Sequence, residues 1–157
     1  MSAPQANRTP FRVSSCADID APAADVYRMI ADYRTRHGRI VPPKYFSNLR
    51  VEAGGYGAGT IITYDLTAFG KTRHVRAEVT EPQPGRELTE TDHDEKIATT
   101  FIVEPAGDAR SRVTIATELF LHSGILGALE RTMARSFLTR VYAAELALLG
   151  EQLTLAV

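Results

Sequence analysis

The sequence has a single cysteine, Cys16, and no tryptophan. One thiol excludes an internal disulfide and any cysteine-rich metal site. Long hydrophobic runs are also missing. No segment approaches the roughly 20 apolar residues that a membrane span requires, and the opening MSAPQANRTP lacks the apolar stretch of a secretory signal. Charge of one sign is absent too: 18 Lys and Arg stand against 19 Asp and Glu, for a formal net charge of −1. Such a balance provides no global basic field to hold nucleic acid or an anionic surface. The expectation is a soluble cytoplasmic protein with no integral membrane segment and no nucleic-acid partner; composition does not separate monomer from homodimer.

The familiar catalytic signatures are missing as well. There is no Walker loop, no GxSxG, no HExxH and no CxxC. His37, His74, His93 and His122 lie far apart, without ligand spacing, so no metal and no cofactor are expected. Gly54, Gly55, Gly57 and Gly59 do not form a dinucleotide fingerprint, because no helix follows them. They read as backbone turning. Cys16 reads as a buried, inert thiol in the first strand.

What is present is an ordinary globular composition, with 44% hydrophobic residues in 157, enough for one domain with a real core. Residues 11–20 alternate loosely as a strand. Asp20-Ala21-Pro22 then opens a short helix carrying Val26, Tyr27, Met29, Ile30 and Tyr33 at helical spacing. Residues 34–45 are irregular around Pro42-Pro43. Alternating segments follow at 46–52, 60–69, 73–81, 86–92, 97–104 and 111–121, separated by Gly/Pro turns that suit hairpins. In the segment 73–81, Val75, Ala77 and Val79 point one way and His74, Arg76 and Glu78 the other, so one face is packed and one is wet. From Ser123 the period changes to 3.6 and runs without proline to Leu153. A helix of about 45 Å needs something long to lie against, and the sheet is the candidate. Strands in series followed by a terminal helix indicate an α+β domain, spanning 11–153, with 1–10 a flexible tail and 154–157 a short C-terminal tail.

Several segments resemble the START-like (SRPBCC) superfamily, and within it the polyketide cyclase/dehydratase and lipid-transport group. They are the Asp18-to-Tyr27 strand-to-helix opening, the Gly54-to-Gly59 turn before a Thr/Tyr strand, Val79-Thr80-Glu81-Pro82, the hairpin Glu104-to-Asp108, and Arg112-Val113-Thr114 leading to the last helix. The resemblance covers residues 11–153 and is specific for fold rather than activity. It implies a helix-grip fold: a curved seven-stranded antiparallel sheet wrapped around the long C-terminal helix, with two short helices closing one end. It also implies a deep cavity between helix and sheet.

Strand parity then nominates the cavity wall: Ile62, Tyr64 and Leu66; Thr99 and Phe101; Ile115, Thr117 and Leu119. The parity of Leu88 carries Glu90 and Asp92 with it. Either that strand is twisted and these acids are solvated, or they are polar contacts in an apolar pocket. On the helix, Leu126, Met133, Phe137, Val141, Ala144 and Leu148 form a stripe with Glu130 in its middle. Glu130 is a cavity acid suited to proton transfer, or a rim residue near the helix start paired with Arg131 or Arg135. Tyr27 joins the ligand-binding set. Arg34, Arg36, His37, Arg39 and Lys44 make a cationic loop, read as solvated surface or as a cavity-mouth trap for an anionic ligand. The expected function is binding of an apolar or amphipathic small molecule, lipid- or polyketide-like, as carrier or sensor. The alternatives are a cyclase/dehydratase-like enzyme using Glu130 or Glu90 with Tyr64 or Tyr27, and a co-chaperone-like interaction domain.

Overall fold

The alternating segments form seven strands in the computed structural model, which describes residues 7–156. They are β1 (Arg8–Ile19), β2 (Phe46–Ala53), β3 (Ile61–Ala68), β4 (Lys71–Gln83), β5 (Glu87–Asp92), β6 (Ile97–Pro105) and β7 (Ser111–His122). They make one antiparallel sheet in the order β1-β7-β6-β5-β4-β3-β2. Every neighbouring pair but one is consecutive in sequence. The exception joins the first strand to the last, in unbroken register from Arg8 opposite His122 to Ile19 opposite Ser111.

Local chemistry sets the connections. Phe69 and Gly70 turn β3 into β4 with φ of 52° and 73°, the positive values that let a two-residue turn follow the right-handed twist of its strands. At Gly57 (φ 59°) a Cβ would lie 2.5 Å from the Glu81 carboxylate, while its N–H donates to the Ala31 carbonyl at 3.0 Å. The glycine-rich turn thus lies against the end of α1 (Ala23–Ala31). Asp32 ends that helix by accepting from the N–H groups of Arg34 and Thr35, an Asx-type turn. The expected pair of short helices therefore resolves into one α-helix and a single 3-10 turn, His37–Arg39.

The last element, α2 (Gly124–Leu155), is one unbroken helix of 32 residues. It packs against β1, β7 and α1, so the curved sheet grips it. At Gly127 a Cβ would sit 1.6 Å from the His122 carbonyl, a close approach that only glycine allows. The core gathers Ile30, Ile40, Val79, Leu88, Val113 and Leu149, all at or below 1% exposure. β1 begins at Arg8, inside the segment read as a tail, whose residues 1–6 lie outside the described ones. α2 continues two residues past the expected 153, and Val157 lies outside the described residues. Among the described residues no helix is long and apolar enough to cross a membrane.

Candidate functional site

Between α2 and the sheet lies a cavity of about 240 Å³. Its wall is largely apolar: Ile62, Tyr64 and Leu66 of β3, Val75 and Ala77 of β4, Phe101 of β6, Leu119 of β7, and Phe137 and Val141 of α2. Phe69 reaches in from the β3–β4 turn, 5.5 Å between ring centroids from Phe137. A concave, mainly apolar space with a few converging polar groups is the usual form of a small-molecule site.

Most of those polar groups are already engaged. The Arg73 guanidinium donates to Asp92 at 2.7 Å. Asp92 also accepts from the backbone N–H of Asp94 and Glu95. Glu90 accepts from the Tyr33 hydroxyl at 2.6 Å and lies 3.4 Å from His37 Nε2. The other ring nitrogen of His37, Nδ1, is 2.7 Å from the Ile30 carbonyl, so it must be the donor there. The Tyr33 ring stacks on the imidazole, with centroids 4.3 Å apart. Thr99, Thr117 and Tyr142 form a hydroxyl chain across β6, β7 and α2. Burial pushes the phenols of Tyr33, Tyr64 and Tyr142 upward, and the negative charge of Glu90 adds to it.

Glu145 is different. It is 5% exposed, lines the cavity and makes no hydrogen bond or ion pair with any described residue. Burial raises its carboxyl well above the usual carboxylate range, and repulsion from Glu90 pushes the same way.

The structure sorts the residues nominated from the sequence. Ile62, Tyr64, Leu66, Glu90, Thr99, Phe101, Thr117, Leu119, Phe137 and Val141 line the cavity. Leu88 and Ile115 are buried in the solid core, away from it. Tyr27 is also buried, but its hydroxyl donates to the Glu81 carboxylate outside the cavity. Met133 is 40% exposed, because the inward stripe of α2 passes instead through Ala134, Phe137, Leu138, Val141, Tyr142 and Glu145. Glu130 points back at the end of β7. Its carboxylate accepts from the His122 backbone N–H at 2.9 Å and from Nδ1 at 2.8 Å. Those hydrogen bonds hold its carboxyl below the ordinary value. It is not a cavity acid, and its partner is His122 rather than Arg131 or Arg135.

The cationic loop does not surround the cavity. Arg34 donates to the Gly54 carbonyl and Arg36 pairs with Asp32 at 3.7 Å, while Arg39 is exposed. Lys44 lies over the Tyr45 ring. Only His37 turns inward, at 2% exposure. Cys16 is exposed rather than buried: it shares the solvent side of β1 with Arg12, Ser14 and Asp18, opposite Val13 and Ile19. Sequence reading missed Arg73, Tyr142 and Glu145 as cavity groups, and Tyr33 as the hydroxyl that holds Glu90. Glu145 carried a signal, since it stands four residues from both Val141 and Leu149 on the buried face. No group of three or more metal-ligating side chains occurs among the described residues.

The profile of the family described as polyketide cyclase / dehydrase and lipid transport matches residues 10–154. No curated protein matches the chain. Among solved structures, the NMR structure of KanY protein is similar at 29% identity and a TM-score of 0.79, covering 92% of this chain and 97% of that one. A START superfamily protein from Mycobacterium smegmatis superposes with a TM-score of 0.71 at 14% identity, covering 93% and 99%. The Zhui aromatase/cyclase from Streptomcyes sp. R1128 does so with a TM-score of 0.71 at 16% identity, covering 91% and 93%. At such identities these last two speak to fold alone.

Proposed function

The chain belongs to the polyketide cyclase/dehydrase and lipid-transport family, and from that premise we propose that it is a carrier or sensor for a small, mainly apolar molecule, lipid- or polyketide-like, held between α2 and the sheet. The observation that carries this reading is the apolar cavity whose polar groups are mostly bonded to one another: Arg73 to Asp92, Tyr33 to Glu90, Thr117 to Tyr142. Such a wall holds its shape before a ligand arrives, which lowers the ordering cost of binding.

Native mass spectrometry of the protein purified from its own host, combined with Nile red titration, tests the reading. A retained small molecule and a saturable rise in dye fluorescence are expected. Ala134→Trp, which projects a large ring from α2 into the cavity, should abolish the dye signal while circular dichroism stays unchanged. Dye binding untouched by that substitution, with no retained molecule, refutes the reading and turns attention to an interaction domain.

One observation favours a second reading. Glu145 is a buried, unpartnered acid whose carboxyl burial raises well above the usual carboxylate range, the direction a general acid or base requires. In an enzyme of the cyclase/dehydratase kind it would replace Glu130 in the proton-transfer role. Glu145→Gln would then lower turnover by about 100-fold or more and leave dye binding intact.

A further inference from the structure

The ionisable groups of the cavity pair off with one remainder. Asp92 has Arg73. Glu90 has His37, and the Tyr33 hydroxyl besides. Glu145, almost fully enclosed, has no base. An isolated carboxyl in an apolar wall is costly wherever it ionises, and a neutral side chain of similar size would fill the same volume without that cost. The cavity already offers hydroxyl donors at Tyr64 and Tyr142. What Glu145 adds to it is a carboxyl with no basic partner.

Resting on the cavity-binding reading, we propose that the ligand carries a protonated amine as its polar end, seated against Glu145 on the side facing Glu90, with its apolar body among the aromatic rings. Two features beside the carboxylate suit that end. Tyr64, Phe101 and Phe137 line the same space, and aromatic faces attract ammonium groups. Glu90 stands close enough to Glu145 to be felt electrostatically, so a cation there offsets the repulsion that disfavours ionising Glu145. The charged and titratable groups around Glu145 come from every neighbouring element. They are Glu90 and Asp92 of β5, Arg73 of β4, Tyr64 of β3, His37 of the 3-10 turn with Tyr33 before it, and Tyr142 of α2 itself. Of the two nitrogen bases in that set, the Arg73 guanidinium is held by Asp92, and the His37 ring by Glu90 and the Ile30 carbonyl. Neither competes for the amine's place. Burial favours the protonated form of Glu145 and a bound ammonium favours the carboxylate, so binding of the amine promotes release of a proton. Affinity should therefore rise with pH until the amine itself deprotonates near pH 10, the range of a primary alkyl amine such as lysine's.

Octylamine, octanol and octanoate share one apolar body and differ only at the polar end. Isothermal titration of each with the whole protein should place octylamine at least about tenfold tighter than octanol, with octanoate the weakest. Octylamine binding should release a proton, measured as a buffer-dependent enthalpy, and octanol binding should not. Glu145→Gln should remove the tenfold preference and the proton release while octanol still binds. Equal affinity for amine and alcohol, a preference for octanoate, or a preference that survives Glu145→Gln would each overturn the proposal while leaving the cavity reading in place. Failure of all three compounds to bind would overturn both.

Discussion

Glu130 and Glu145 are the same residue type on the same helix, and their surroundings drive them in opposite directions. Glu130, in the second turn of α2, is fixed by two donors from His122. Its folded value is depressed, so its contribution to stability is present above the unfolded value near 4.5 and is lost as pH falls through the folded value. Because it is partly exposed, Glu130→Gln should cost less than about 1 kcal/mol at neutral pH, and nothing in strong acid. Ligand affinity should stay unchanged; a large loss of binding would contradict its place outside the cavity. Glu145 behaves in the reverse sense. Above pH 4.5 the unfolded chain releases its proton while the native chain keeps it. The native state then binds more protons, and stability falls with rising pH until the folded value is passed. Glu145→Gln should remove that slope, worth up to about 1.4 kcal/mol per pH unit. Urea titrations across pH should show the variant more stable than the parent at neutral pH, with the two curves meeting in acid. Parallel curves would mean that Glu145 is ionised in the empty cavity.

On the scale of the element, α2 shows what periodicity can and cannot reveal. Its extent was readable because nothing between Ser123 and Leu153 breaks a helix, and the hairpin strands were readable from alternation and Gly/Pro turns. The facing of the helix was harder. Met133 leads Phe137 by one turn and draws an apolar stripe toward itself, but the structure turns the small Ala134 and the acid Glu145 inward instead. A hydrophobic count gives weight to the Met and none to the acid, so it misplaces the stripe by a fraction of a turn. Phe137 lies near both stripes. It meets Tyr45 edge-on at 5.4 Å between centroids and fills one side of a space that is already open. Phe137→Ala should therefore cost less than the roughly 3–5 kcal/mol of a tightly packed core ring, and Nile red binding should strengthen or shift as the cavity grows. A full-size loss measured by urea denaturation would show that the cavity collapses around it. Gly127→Ala tests the other end of the helix. A Cβ at 1.6 Å from the His122 carbonyl cannot be accommodated without moving the first turn off β7. Thermal melting should show a clear loss, whereas Ala at an open helical position is stabilising.

For the whole molecule, layer architecture was legible from element order alone, while the cavity came from family resemblance, because a void leaves no mark on sequence period. Its acid pairing was beyond reach, since Arg73 and Asp92, or Tyr33 and Glu90, meet only once strands distant in the chain are in register. A ligand held there should stabilise the entire fold. At about one hundred times its dissociation constant the gain is roughly 2.7 kcal/mol, readable as a raised melting temperature for octylamine that disappears in Ala134→Trp. The join between β1 and β7 carries a consequence for biosynthesis. A ribosome delivers the chain in the N-to-C direction at roughly 5–20 residues per second, so of the seven strands β1 emerges first and its partner β7 last. Until Ser111–His122 is made, Arg8–Ile19 has no strand to pair with, and α2, which the sheet encloses, follows later still. The nascent chain therefore passes through synthesis with β1 unpaired until β7 is made, a form open to mispairing with a neighbouring chain on the same message.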